Sequence, residues 1–234
     1  MTRAYAAGRQ ATTWANVDEV LKASGRAIGD SPCVSALLRD RPHTPQQQLN
    51  RHTCGMSNAP EQAGRALLLI DFQEDFLAPT GRMPVDQRQV QPVIEAAQHA
   101  VDEAQRNGDL IVKIGNEFRP SDVIGNVFRH RAAVRGSPGA AWDDRIDPPG
   151  ATYLPKWKSD AFCNPDLATL LEEAHVGQIR LAGLYAKACV SATAKTAQKR
   201  GLSVQVIGDA TACSSDKSRQ NALDKLRGIG IAVV

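Results

Sequence analysis

The sequence predicts an α/β fold of three layers, Rossmann-like, built on a doubly wound and mostly parallel sheet behind a loosely ordered N-terminal extension. Two patterns carry that prediction. Short, largely apolar runs such as Ala66-Leu67-Leu68-Leu69-Ile70 and Ile179-Arg180-Leu181-Ala182 read as strands buried on both faces. They alternate with helical segments that end in cap and stop residues, the order that yields parallel strands joined by right-handed crossovers. A third observation places the chemistry. After the Ile179 run comes Gly183-Leu184-Tyr185-Ala186-Lys187-Ala188, then Cys189 opening a small-residue helix that runs to Lys199-Arg200-Gly201. Strand, tight turn, nucleophile and helix in that order lift a side chain to the carboxyl end of a parallel sheet.

Taken in order, residues 1–60 form the extension and 61–234 the domain. In the extension Val17 to Ile28 suits a short helix that Gly29-Asp30-Ser31-Pro32 breaks, and Arg41-Pro42-His43-Thr44-Pro45-Gln46-Gln47-Gln48 reads as coil. Few large apolar residues stand there, so little holds it in a core. Met56 precedes a short leader, Ser57 to Glu61, and the domain start is expected near it. The first strand, Ala66–Ile70, ends in Asp71. A helix follows from Val90 to Arg106, with Val90, Val93, Ile94, Ala97, Val101 and Ala104 on one face and Asn107-Gly108 as its stop. Leu110–Ile114 is the second strand. Arg119 to Gly150 reads as a long loop, of the length that is usually functional or a lid. Thr152–Lys156 is the third strand. Asn164-Pro165 gives an N-cap and first-turn pair for a helix carrying Leu167, Leu170, Leu171 and Ala174. Ser203–Ile207 is a strand, Asp216–Arg227 a helix, and Gly230–Val234 the last strand.

Composition excludes several classes. Residues 1–60 hold seven Lys/Arg and four acids, so the other 174 residues balance at 21 basic and 21 acidic, leaving nucleic acid without support as a partner. No run approaches the ~18 apolar residues of a membrane span, and the first twenty residues lack the apolar core of a secretory signal. The five cysteines, Cys33, Cys54, Cys163, Cys189 and Cys213, are odd in number and lack metal-ligand spacing. That usage suits a reducing, cytoplasmic location. The expected partners are a small-molecule substrate and further copies of the chain in a dimer or tetramer, with no nucleic acid and no membrane.

In a parallel sheet ligands bind outside the carboxyl ends of the strands. Asp71, Lys156 and Cys189 all fall there. Asp71 suits a general base for the thiol, Lys156 a counter-charge, and Cys189 a nucleophile that attacks a carbonyl to give a thioester. A thiol at a helix N-terminus is expected to have a lowered pKa. Phe76, Asn116, Phe118, Trp157, Phe162 and Tyr185 are the candidates for lining the pocket. No GxGxxG, P-loop or GxSxG pattern occurs.

Four stretches together resemble the isochorismatase-like cysteine hydrolases, which include nicotinamidases and other small amide hydrolases. They are Leu69-Ile70-Asp71-Phe72-Gln73-Glu74-Asp75-Phe76, Lys156-Trp157-Lys158-Ser159-Asp160-Ala161-Phe162, Gly183 to Thr193, and Val204 to Ala210. The resemblance spans about residues 64–234. It implies the isochorismatase-type fold and the triad Asp71, Lys156 and Cys189. It also implies a non-proline cis peptide between Leu184 and Tyr185, and an oxyanion hole formed by the N–H groups of Tyr185 and Cys189. Metal-binding nicotinamidases carry an Asp-x-His element and a further His after the second strand. Here that place reads Asn116-Glu117-Phe118-Arg119-Pro120 with His130 alone downstream, so neither metal nor cofactor is expected. Asp160 stands where the family often has Ser. Facing the pocket it would favour a cationic substrate; the alternative is an exposed loop acid. Cys189 favours cleavage of an amide or carbamoyl C–N bond. The competing readings are an isochorismatase-type ether hydrolase and a binding module without turnover.

Overall fold

The computed structural model describes residues 63–234. The expectations for the Val17–Ile28 helix, the coil around Arg41–Gln48 and a domain start near Met56 lie outside the described residues.

Six strands form one parallel sheet: β1 Gly64–Ile70, β2 Leu110–Asn116, β3 Thr152–Lys156, β4 Val176–Leu184, β5 Ser203–Ala212 and β6 Ala232–Val233. Their spatial order is β3-β2-β1-β4-β5-β6, so the chain winds outward from β1 in one direction and then returns to the other side of β1 with β4. The sheet is covered on both faces. On one, after the single-turn helix α1 (Glu74–Leu77), the long helix α2 (Gln87–Asn107) sets Val93, Ile94, Ala97 and Ala104 against Leu67 and Leu69 of β1. On the other, helices α4 (Pro165–Glu173), α5 (Ser191–Lys199) and α6 (Asp216–Gly228) set Leu167, Leu171, Ala194 and Leu226 against Leu68 and Ile70. Successive side chains of a strand point to opposite faces, so the unbroken apolar run of β1 supplies both layers. The fold class is as the sequence predicts. No described helix is long and apolar enough to cross a membrane.

Local signals act as expected at the ends of these helices. Gly108 closes α2 in the left-handed conformation at φ 70°, and its N–H bonds Ala104 and Gln105 carbonyls. The Asn164 side chain accepts from the Asp166 N–H, with Pro165 in the first turn of α4.

Three elements differ from the sequence expectation. Within the predicted loop of 119–150 lie a short helix α3 (Val123–Phe128), capped by Asp122, and two 3-10 turns at Pro138–Ala140 and Asp144–Ile146. The apolar residues of α3 face outward, so no core-facing periodicity announces it. Strand β5 runs five residues past Ile207, because its pairing with β4 jumps from Leu181↔Val206 to Gly183↔Thr211 and the intervening segment bulges out. The third difference lies at Cys189 and belongs to the site.

Gly183 holds the centre of the fold. It pairs with Ile70 across β1 and β4, has φ 141°, and a Cβ there would stand 2.1 Å from the Ile70 carbonyl oxygen. Neither backbone can yield without moving Asp71, which directly follows β1. Gly183→Ala is expected to cost about 3 kcal/mol or more in denaturant unfolding, combining backbone strain with overpacking. Gly201→Ala, at φ 84° with nothing within 4 Å of the added carbon, is expected to cost only about 1 kcal/mol. Equal losses in the two variants would contradict the packing argument.

Candidate active site

The crevice of a doubly wound sheet opens where the winding reverses, here between the carboxyl ends of β1 and β4. Asp71 leaves β1 at that point, with φ 59°. This left-handed turn is one that Asp tolerates better than most residues. Its N–H bonds the Ile114 carbonyl of β2 at 2.8 Å, which keeps the turn in register with the next strand. On the β4 side, Leu184 and Tyr185 are joined by a cis peptide, as the resemblance implies. The chain then enters a π-helical turn, Ala186–Val190, that continues directly into α5. Cys189 is therefore the fourth residue of this first turn rather than the residue that opens the helix. The sequence could not show this, because Ala186-Lys187-Ala188 has no capping residue and the wide turn has no composition of its own.

Lys156 ends β3, two strands away from β1, and its side chain is fully buried. Its ammonium Nζ lies 2.9 Å from Asp71 Oδ2 and 3.4 Å from Cys189 Sγ. It also donates to Asn116 Oδ1 at 2.7 Å and the Lys158 carbonyl at 3.3 Å. A buried cation needs such a shell, since burial costs several kcal/mol unless charge and hydrogen bonds offset it. Asp71, Lys156 and Cys189, picked from three separate strand ends, are thus brought into one cluster.

Asn116, the last residue of β2, sits inside that cluster and not merely along a pocket wall. Its N–H donates to Asp71 Oδ1 at 3.1 Å and to Gln73 Oε1 at 2.8 Å, and its amide Nδ2 approaches Cys189 Sγ at 4.0 Å. Gln73, wholly buried, returns a bond from Nε2 to the Asn116 carbonyl at 2.9 Å and ties the Ala140 carbonyl at 2.7 Å. Sequence reasoning missed Gln73 as a site residue. A buried polar group two residues past a strand-end acid is visible only once the neighbouring strand is in place.

Burial dominates the ionisation of the cluster. It pushes the Cys189 thiol up to about 12, with the Asp71 charge adding to the rise and Lys156 opposing it. The expected lowering by the helix N-terminus is overturned: a nearly dry site beside a carboxylate outweighs the dipole. Burial also raises the Asp71 carboxyl, against the pull of Lys156 and its hydrogen bonds. Burial alone would pull Lys156 down, but Asp71 and Cys189 attract its charge more strongly and hold it up. The resting state is a neutral thiol beside an Asp71–Lys156 ion pair. The more basic a buried carboxylate, the better it takes a proton from sulfur. Iodoacetamide is accordingly expected to alkylate Cys189 of the free protein slowly at neutral pH. Its rate should climb steadily towards pH 9, because the thiolate fraction keeps growing below a raised pKa. A rate that levels off near pH 7, read by peptide mass spectrometry, would contradict the raised thiol.

The aromatic candidates separate. Phe76 is buried in the core, its ring edge-to-face with Tyr185 at 6.0 Å. The Tyr185 hydroxyl donates to the Met83 carbonyl, so its ring turns towards Phe76 while its N–H belongs to the turn. Phe118 follows Asn116 closely and is buried under the Arg129 guanidinium, 3.9 Å from the ring centroid. Trp157 is partly exposed beside Lys156. Phe162 is not brought to the cluster. Its ring lines a groove with Leu171, Val176, Arg200 and Leu202, at the amino ends of β4 and β5. Asp160 turns away as well. Its carboxylate accepts from the Phe162 N–H at 3.0 Å and from the Thr196 hydroxyl at 2.8 Å, which makes it a cap for the turn before α4.

The residues after β2 do not fit a metal. Glu117 is engaged by Arg135 at 2.9 Å and by the Tyr153 hydroxyl at 3.1 Å, and His130 is exposed. Among the described residues no three His, Cys, Asp or Glu side chains converge as a donor set.

Similarity to known proteins agrees with this architecture. Residues 65–234 match the isochorismatase domain. A streptothricin hydrolase of Streptomyces noursei is 29% identical over 187 residues, covering 77% of this chain and 68% of that one. The pyrazinamidase of Pyrococcus horikoshii, solved with zinc, superposes with a TM-score of 0.65 at 26% identity, over 73% of this chain and 98% of the other. The N-carbamoylsarcosine amidase of Thermoplasma acidophilum shares the fold with a TM-score of 0.64 at 24% identity, over 73% and 95% of the two chains. With its parallel sheet and a domain match reaching from the start of β1 to the last residue, the chain belongs to the isochorismatase family.

Proposed function

We propose that Asp71, Lys156 and Cys189 form the catalytic triad of a hydrolase that cleaves a small-molecule amide or carbamoyl C–N bond through a thioester on Cys189, without a metal or other cofactor. The broader class follows from kinship: the protein is an isochorismatase-family amidohydrolase, and its relatives are named as amidases and a streptothricin hydrolase. The observation that carries the finer reading is the single ammonium of Lys156, within reach of both Asp71 and Cys189.

The steps balance around that ammonium. As Cys189 Sγ attacks the substrate carbonyl, its proton passes to Asp71, and the negative charge moves from the carboxylate through the sulfur to the carbonyl oxygen, with Lys156 beside the first two. The carbonyl oxygen becomes an oxyanion held by the N–H groups of Tyr185 and Cys189. Collapse breaks the C–N bond, and the leaving nitrogen takes the proton from Asp71. Water then attacks the thioester, gives a proton to Asp71, and releases the acid as that proton returns to sulfur. Asn116 and Gln73 hold Asp71 in place for both transfers.

A panel of nicotinamide, pyrazinamide, N-carbamoylsarcosine, simple ureas and isochorismate, read by ammonia and acid release, tests the reading. At least one amide or carbamoyl compound should release ammonia, equally with and without EDTA. Turnover of isochorismate alone would favour the ether hydrolase, and activity lost to EDTA and restored by zinc would overturn the metal-free mechanism.

A further inference from the structure

Helices α5 and α6 meet over a cavity of about 320 Å³, within the size range of small-molecule sites. Its polar lining comes from one face of each. The Cys189 turn and α5 supply Lys187, Ser191 and Lys195 at spacings of four, and α6 supplies Ser218, Asn221 and Lys225 at spacings of three and four. Three ammonium groups thus share one concavity, and no acid lines it. The acid next to Lys225, Asp224, is already engaged by Arg227 at 2.8 Å and by Gln220 at 3.0 Å. The cavity at the start of α2 differs, because there Arg88 and Arg219 stand among Glu95, Asp209 and Asp216. Residues 61–234 balance basic and acidic side chains overall, so the cleft between α5 and α6 is a local excess of positive charge.

We propose that this cleft binds a small anion carrying two or more phosphate charges, seated behind the turn that holds Cys189. Ammonium groups recognise phosphate as point charges, and a concavity lined by one sign of charge concentrates counter-ions more than lysines spread over a surface. Left empty, the three lysines repel one another; a polyvalent anion turns that repulsion into attraction. The Ser218 hydroxyl and the Asn221 amide add neutral donors to the same cavity. A nucleic-acid strand needs a continuous basic track, whereas here a single pocket stands in a domain without net charge. The site is also joined to the Cys189 turn. Lys187 and Ser191 lie two residues to either side of Cys189, and the buried Ser191 hydroxyl donates to the Ala186 carbonyl at 2.6 Å. An anion held by these residues steadies the turn from behind.

Titration calorimetry of the full chain with pyrophosphate, in low-salt buffer near neutral pH, tests this without requiring turnover. Wild type should bind at one site, more weakly as salt is added, and its melting temperature should rise with pyrophosphate because the ligand binds only the folded state. Lys195→Ala with Lys225→Ala should weaken binding by roughly tenfold or more, with circular dichroism unchanged since both side chains are exposed. Lys199→Ala with Lys217→Ala removes two exposed lysines of the same helices that lie outside the cleft, and should leave binding unchanged. Wild type that fails to bind millimolar pyrophosphate would overturn the proposal. So would full binding by the Lys195 and Lys225 double variant, or equal losses in the two double variants, which would mark diffuse surface charge rather than a site.

Discussion

Replacing Cys189 with alanine is expected to lower amide hydrolysis by about a thousandfold or more, since a covalent route loses its only nucleophile. The fold should be untouched. Cys189 is buried as a neutral thiol, and its removal leaves the Asp71–Lys156 pair and its hydrogen bonds to Asn116 intact. Asp71→Asn should be comparably severe, because sulfur then has no acceptor for its proton. The double variant should be scarcely worse than either single one, as residues that act as a unit are not additive. Cys163→Ala and Cys213→Ala are the controls. Both cysteines are free, neither lies in the cluster, and only the fully buried Cys213 should show a stability loss.

Lys156→Met is expected to damage both activity and stability. Methionine fills the space but strands the Asp71 carboxylate in a dry site, and breaking a buried pair on one side costs about 3–5 kcal/mol. The sign of the pH dependence follows. Without Lys156 the folded-state pKa of Asp71 rises further above its unfolded value, so the variant is least impaired at low pH. Its stability falls as pH rises from the unfolded carboxyl value through the raised folded one. Adding Asp71→Asn removes the orphaned charge and should recover most of the stability at pH 7, yet none of the activity. Recovery of activity in that double variant would contradict the role given to Asp71, and failure to recover stability would contradict the ion-pair account.

Much of this was legible in the residues because it is periodic or terminal. The apolar run of β1 needs two covering layers, Gly108 and Asn164 mark helix ends by backbone chemistry, and Asp71, Lys156 and Cys189 follow strands whose carboxyl ends must share one edge. What escaped depends on distance across the sheet. Gln73 and the central position of Asn116 exist only through β1–β2 register, and the cap made by Asp160 needs Thr196 from α5. The thiol's direction of shift was misread because a helix N-terminus shows in sequence while desolvation does not. Phe162 was misplaced because an aromatic near a strand end can turn back along the helix that follows. The helix α3 was read as loop because its apolar face has no partner among the described residues.

The most direct measurement of the central claim is the mass of the Cys189 peptide during turnover. An amide found active in the panel is mixed with the protein, quenched in acid within the first turnovers, and digested. The account predicts an added acyl mass on the peptide containing Cys189, removable by hydroxylamine and absent from Asp71→Asn. Full turnover with the Cys189 peptide unmodified, together with near-normal hydrolysis by Cys189→Ala, would contradict it.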